Sequence, residues 1–355
     1  MSRTSVLIVD DSPTLRAVVK AVLRKEPEIK VVGEAANAVE ARAFIKEIDP
    51  DVITLDIEMP GMSGLDFLEK IMTLRPMPVI MLSGTTAQGS ESAITALSRG
   101  AFHCLQKPSS GNIVEALSEL PGLILAAAKS PHARRNRVAP SSVPVAAAPA
   151  PAVHMFRRNA LIAIGSSTGG VDALLDVLDG FPENCPPTLI AQHMPEAFIQ
   201  SFAARLDRTV RPSVGVARDG ETVKPGQVRF APGGGSDLCL VAHGEYRLRL
   251  QDASPDQTHC PSVDVLMGSV ARAAGRNAVG AILTGMGRDG AKGLLAMRQA
   301  GARTFGQDEE SSTVYGMPRI AREYGAVERQ LPLKHMRAGI LGAASRGTAA
   351  DRLAS

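Results

Sequence analysis

Tryptophan is absent from the 355 residues, and aromatic residues make up only 3% of the chain. A chain this poor in flat side chains lacks the platforms on which single-stranded nucleic acids stack. An excess of one charge is missing as well. The 39 basic residues stand against 36 acidic ones, a formal balance of +3 that is too even for the basic face of a nucleic-acid binder. No apolar run approaches the roughly 20 residues that span a bilayer. The opening MSRTSVLIVDD places acids directly behind its apolar run, unlike a signal peptide. Cysteine is scarce: Cys104, Cys185, Cys239 and Cys260 are scattered without CxxC spacing, which fits reduced thiols packed as small apolar groups. These absences set the expectation of a soluble, cytoplasmic protein.

What is present is ordinary globular composition, 45% apolar and 21% charged, in a chain long enough for two domains that each bury a core. From residue 5 to about 128, β-rich runs at 6–9, 31–32, 52–55, 79–82 and 101–105 alternate with helical patterns at 15–25, 39–48, 64–73, 90–99 and 113–127. Five strand-then-helix repeats predict a doubly wound (βα)5 unit, flavodoxin-like, with a parallel sheet covered on both faces. Residues 129–155 carry five prolines among Ala, Ser and Arg with no apolar period, and read as a linker. Its Arg134-Arg135-Asn136-Arg137 cluster is either a solvated tether or a contact for an acidic surface.

The alternation resumes at residue 159 and predicts a second α/β domain over 156–348, with a mainly parallel sheet and a β-hairpin insertion. Strands are expected at 161–164, 188–191 and 278–283, and helices at 171–178, 198–206, 263–274 and 291–299. Gly and Pro turns between short alternating runs make 214–250 an antiparallel, β-rich insertion. Helices at 313–323 and 334–341 are expected to close the domain.

In a doubly wound sheet, chemistry gathers at the carboxyl ends of the strands. In the first domain Asp10 and Asp11, Asp56, Ser83 and Lys107 fall at four such ends. Clustered carboxylates repel one another and favour a hard divalent cation such as Mg²⁺, with Lys107 as a point charge for a phosphoryl group and Asp56 as nucleophile. The plainer reading of Asp10-Asp11 alone is a cap for the helix that starts near Ser12-Pro13. Residues 5–125 resemble a two-component receiver domain, through Val9-Asp10-Asp11-Ser12, the 56–64 segment DIEMPGMSG and Lys107-Pro108. The resemblance implies Asp56 as phosphoacceptor and a histidine kinase as phosphodonor. It also implies Mg²⁺ held by Asp11, Asp56 and the Glu58 backbone carbonyl with Asp10 in support, and Ser83 with Lys107 reading out the phosphate.

In the second domain, Gly165-Ser166-Ser167-Thr168-Gly169 fits G-x-S-x-G, a strand-to-helix turn that presents a serine to the helix N-terminus. Alone the pattern is equally a phosphate cradle, although it lacks the P-loop lysine. His193 and Asp289 each follow a predicted strand. A histidine so placed is commonly structural, and an Asp among glycines is commonly a turn former. The order Ser, His, Asp also departs from that of the α/β-hydrolases, which points to another fold with the chemistry left open.

Residues 159–345 resemble the catalytic domain of the chemotaxis protein-glutamate methylesterases, through 164–170 IGSSTGG, 192–195 QHMP, 261–266 PSVDVL, 283–290 LTGMGRDG and 314–318 VYGMP. The resemblance implies Ser167 as nucleophile, His193 as base, Asp289 as orienting carboxylate, and Thr168 and Met286 at the oxyanion site. It implies methyl-accepting chemotaxis receptors as substrate, glutamine deamidation as a second activity, and no cofactor for hydrolysis. Two positions depart from the family: Ser166 stands where alanine is usual, and a histidine often found near Asp237 is missing. An unphosphorylated receiver is expected to restrict access to the Ser167 cleft. Two other readings stay open, an adaptor with a degenerate enzyme domain and an esterase for small diffusible esters. A DNA-binding output has no basic recognition helix to support it.

Overall fold

The computed structural model describes residues 3–84, 86–107, 113–130 and 155–346. The chain divides into two compact units, residues 1–142 and 143–355. Of the expected linker, residues 131–154 lie outside the described residues, as does Pro108.

In the first unit the apolar runs become β1 (Thr4–Val9), β2 (Ile29–Ala35), β3 (Val52–Asp56), β4 (Val79–Ser83) and β5 (His103–Gln106), all parallel, in the order β2-β1-β3-β4-β5. The helices are α1 (Pro13–Leu23), α2 (Ala38–Ile48), α3 (Gly64–Leu74), α4 (Ala87–Ser98), α5 (Ile113–Ala116) and α6 (Leu120–Lys129). Strand β3 is buried along its whole length, as a strand covered on both faces must be. Ser12 caps α1, its side chain accepting from Leu15 N, so Asp10 and Asp11 are not needed for that task. The single helix expected at 113–127 is two. Pro121 sits in the first turn of α6, where its missing N–H costs nothing, and cannot continue a helix from α5.

The second unit carries β6 (Leu161–Ser166), β7 (Thr188–Gln192), β8 (Ser213–Val216), β9 (Gln227–Phe230), β12 (Ala278–Ile282), β13 (Arg303–Gln307) and β14 (Arg329–Leu331). They form one parallel sheet in the order β14-β13-β12-β6-β7-β9-β8. Strands β10 (Ser236–His243) and β11 (Glu245–Asp252) pair antiparallel as a separate hairpin. The helices are α7 (Gly170–Leu178), α8 (Glu196–Asp207), α9 (Val263–Ala274), α10 (Ala291–Gln299), α11 (Met317–Glu323) and α12 (Leu333–Ala344).

Three expectations need correcting. Only the hairpin half of 214–250 is antiparallel; β9 is parallel to both β7 and β8. Strands β13 and β14 extend the sheet where only helices were expected. RTFGQ has a single large apolar residue, and β14 is three residues long, too little for a period-two signal. Residues 313–316 precede α11 as a loop, with Tyr315 bridging Gly285.

Phe181, Phe198, Phe202, Phe230 and Phe305 are fully buried in this unit, each contributing roughly 1.5–3 kcal/mol by leaving water. Phe202 meets Phe230 edge to face at 5.5 Å. The four cysteines are unpaired, and burial pushes the Cys185 thiol up to about 12.

Candidate functional site

In the first unit, chain order reverses beside β1, and the residues after β1 and at the end of β3 share the resulting crevice. Asp10 is fully buried and Asp56 is 3% exposed. Lys107 Nζ lies 3.0 Å from Asp10 Oδ2 and 2.7 Å from Asp56 Oδ1. Carboxylate oxygens of Asp10, Asp11 and Asp56 all lie within 4.8 Å of one another. An all-oxygen set with this spacing suits a hard cation such as Mg²⁺. Burial raises the Asp56 pKa above the ordinary carboxylate value, with Asp10 adding to it and Lys107 opposing. Burial would lower Lys107, but the Asp56 and Asp10 carboxylates outweigh it and hold the ammonium above its usual value. Glu58 N donates to Asp56 Oδ1 at 3.2 Å, which turns the start of the 58–63 loop toward the acid. Ser83, at the end of β4, donates its hydroxyl to Gly89 O at 2.8 Å.

In the second unit β6 is first in the chain and sits mid-sheet, with β12 on one side and β7 on the other. The turns after these three strands carry Ser167, His193 and Asp289, so residues far apart in sequence emerge at one sheet edge. His193 Nε2 is 2.8 Å from Asp289 Oδ2, and both side chains are about nine-tenths buried. His193 Nδ1 is buried and makes no hydrogen bond. Asp289 is also held by the start of α9: Val263 N donates to Oδ2 at 2.7 Å, and Asp264 N and Ser262 Oγ donate to Oδ1 at 2.9 and 3.1 Å. Burial pushes this carboxyl up, but the His193 contact and the backbone donors prevail and leave its pKa below the ordinary value. It stays ionised beside the imidazole.

Ser167 N donates to Thr284 O at 3.0 Å, and His193 N donates to Ser166 O at 3.1 Å, so the Ser167 turn is tied to the loops after β12 and β7. Among the described residues, Ser167 Oγ makes no hydrogen bond to His193, as is common in a site without substrate. A Cβ at Gly285 would stand 2.8 Å from Ser167 Cβ and 2.4 Å from Met317 Sδ, which is why this approach needs glycine. The backbone N–H groups of Thr168 and Met286 find no acceptor among the described residues. A cleft of ≈ 820 Å³ opens beside Asp289 and Met286, lined also by Arg288, His259, Ser262 and Val314, a size suited to a side chain and its neighbours.

Three residues were given no role by the sequence reading, although Gln192 and Ser262 lie in its motifs. His259 stacks on His193, ring centroids 4.3 Å apart at 19°. Ser262 caps α9 and bonds Asp289. Gln192 links the Ser167 and His193 loops, its Nε2 donating to both Ser167 O and His193 O. Only proximity to His193 and to the Pro261-Ser262 motif could have flagged them.

Residues 162–340 match the family profile described as CheB methylesterase, and residues 6–118 match the response regulator receiver domain. A protein-glutamate methylesterase/protein-glutamine glutaminase of Agrobacterium fabrum is 56% identical over 92% of this chain and 93% of its own length. One from Caulobacter vibrioides, bearing the same name with the number 1, is 52% identical over 97% and 99%. The crystal structure of the Thermotoga maritima CheB methylesterase catalytic domain superposes with a TM-score of 0.50 at 35% identity, covering 52% of this chain and 98% of that one.

Proposed function

The chain belongs to the CheB methylesterase family, with a receiver domain in the same polypeptide, and on that premise we propose that it hydrolyses γ-glutamyl methyl esters of methyl-accepting chemotaxis receptors, under control of receiver phosphorylation. The same site deamidates receptor glutamines, since ester and amide differ only in the leaving group. One observation carries the hydrolytic reading: His193 spends Nε2 on the buried, ionised Asp289 and keeps a buried Nδ1 without a partner.

This assigns each group a role. With Nε2–H donated to Asp289, Nδ1 carries the lone pair that receives the Ser167 proton as Oγ bonds to the ester carbonyl carbon. The developing oxyanion accepts from the N–H groups of Thr168 and Met286. The intermediate collapses with cleavage of the bond to methoxide, which takes the proton from the imidazolium and leaves as methanol. Water, deprotonated by His193, then releases glutamate from Ser167. Expected loss for Ser167→Ala is about 10⁴-fold or more in methanol release from methylated receptor membranes. Near-native hydrolysis by that variant would overturn the assignment.

In the receiver, Asp56 is the phosphoacceptor and a histidine kinase the donor. Asp10, Asp11 and Asp56, with the Glu58 carbonyl, would hold Mg²⁺, which offsets negative charge while Lys107 pairs with the phosphoryl oxygens. Ser83 would switch its hydroxyl from Gly89 O toward the new phosphate. The unphosphorylated receiver restrains the esterase. A 156–355 fragment no more active than the resting full-length chain would count against restraint. Among the described residues no helix is long and apolar enough to cross a membrane.

A further inference from the structure

We propose that Ser166 is a positioning residue for the reaction, its buried hydroxyl orienting the Gln192 amide that ties the nucleophile's carbonyl to the base's carbonyl. This rests on Ser167 and His193 holding the roles given above. Ser166 and Gln192 end neighbouring strands and face each other in register, and they are 0% and 2% exposed. Ser166 Oγ donates to Gln192 Oε1 at 2.6 Å. On the other end of the same amide, Nε2 donates to Ser167 O at 2.9 Å and to His193 O at 3.1 Å.

The chemistry permits one orientation. Flipped, the amide would aim its oxygen at two carbonyl oxygens with no proton among the three atoms, leaving His193 O without this donor and Ser167 O with only Gly170 N. The two carbonyls set which way round the amide sits, and the Ser166 hydroxyl, by donating to Oε1, anchors its far end in that place. The path is kept open by Gly170, where a Cβ would fall 2.1 Å from Oε1. Ser166 therefore does not compete as a second nucleophile. Its proton is committed to Gln192, and it acts on Ser167 and His193 through that side chain.

Small errors in the spacing of a nucleophile and its base are costly to turnover and nearly invisible to binding. The test is a double-mutant cycle on the full-length chain, reading methanol release from methylated receptor membranes. Ser166→Ala lowers kcat about fivefold with KM nearly unchanged, and Gln192→Leu lowers it about a hundredfold, in line with one lost orienting bond against loss of the whole tie. The double variant is no slower than Gln192→Leu alone, because Ser166 has nothing left to orient. Ser166→Cys, close in shape but a weak donor, falls between wild type and alanine, and covers the case in which alanine disturbs folding. A wild-type kcat in both Ser166 variants, or an undiminished Ser166→Ala penalty in the Gln192→Leu background, overturns the proposal. Ser167→Ala assayed alongside separates the two failures: if it retains activity, the nucleophile assignment falls, whatever the cycle gives.

Discussion

Replacing Asp289 with asparagine tests the hydrolytic site with almost no change of shape. The carboxylate accepts four hydrogen bonds, two on each oxygen. An amide must turn one of those positions into a donor. If the NH₂ takes the Oδ2 position, it faces Val263 N and His193 Nε2. The imidazole must then present a lone pair at Nε2 and carry its proton on Nδ1, the atom that should receive the serine proton. If it takes the Oδ1 position, it faces Asp264 N and Ser262 Oγ, and only the hydroxyl can rotate to accept. In both cases one backbone N–H of the α9 start meets another donor. Together with the charge removed from a helix N-terminus, this costs about 2–4 kcal/mol of stability.

The sign of the pH dependence follows from the lowered pKa. Asp289 contributes stability above its ordinary value of 3.8 and loses it as pH falls through the lower folded value, so wild type and Asp289→Asn converge in strong acid. For activity, a wrong tautomer and an unstabilised imidazolium predict a fall in kcat of about 10⁴-fold. Methanol release from methylated receptor membranes reads the rate, and thermal melting confirms that the folded fraction is complete at the assay temperature. Ser262→Ala is the control, since it removes one donor to Oδ1 without touching His193, and its loss stays within about tenfold. A folded Asp289→Asn variant within tenfold of wild-type kcat would refute the need for a charged partner at His193 Nε2, since that charge is lost in both orientations.

Three further perturbations address the other acids. Asp56→Asn abolishes phosphoryl incorporation from a small-molecule phosphodonor, and chelation of divalent cation does the same to the native chain; labelling that survives either would move the phosphoacceptor or dispense with the cation. Asp237 is fully buried, with Oδ1 held by Ser262 N and Gln257 and Oδ2 without a partner, and burial raises its pKa, with Asp289 adding to the effect. Its charge therefore costs stability above the raised folded value, and this cost vanishes below 3.8, where the acid is neutral in both states. Asp237→Asn should melt higher than wild type at pH 7–8, with the difference closing toward pH 3.5 on the scale of ordinary carboxylates; a difference constant across that range would refute the charge argument.

Much of this was legible because strands in parallel sheets end where chemistry is placed. Asp10, Asp56, Ser83 and Lys107 could each be assigned to a strand end from the apolar run before it, and so could Ser167, His193 and Asp289. What stayed illegible depends on neighbours from other parts of the chain. Strand β9 reads like its hairpin neighbours in local alternation, and only the contact with β7 and β8 makes it a parallel strand. The motif at Pro261-Ser262 stood out without a role, because two of its three bonds to Asp289 come from backbone N–H groups, which any residue could supply. Gln192 looked like part of a strand end, although its amide joins two loops.

The two units place the same residue type at equivalent points of parallel sheets and move its acidity in opposite directions. Asp56 lies with Asp10 and Asp11 around one crevice, and burial and repulsion raise it despite Lys107. Asp289 stands under the first turn of α9, where three donors and an imidazole converge, and it is lowered despite similar burial. Each direction suits the role proposed for that acid. A crowded acid is relieved by an incoming cation, which couples metal binding to readiness for phosphoryl transfer. A triad carboxylate must remain charged through the moment when its histidine becomes cationic, and donors fixed by a helix N-terminus keep it so without reorganising. Strand position chooses where an aspartate is presented, while the company arriving from the next element decides which chemistry it can perform.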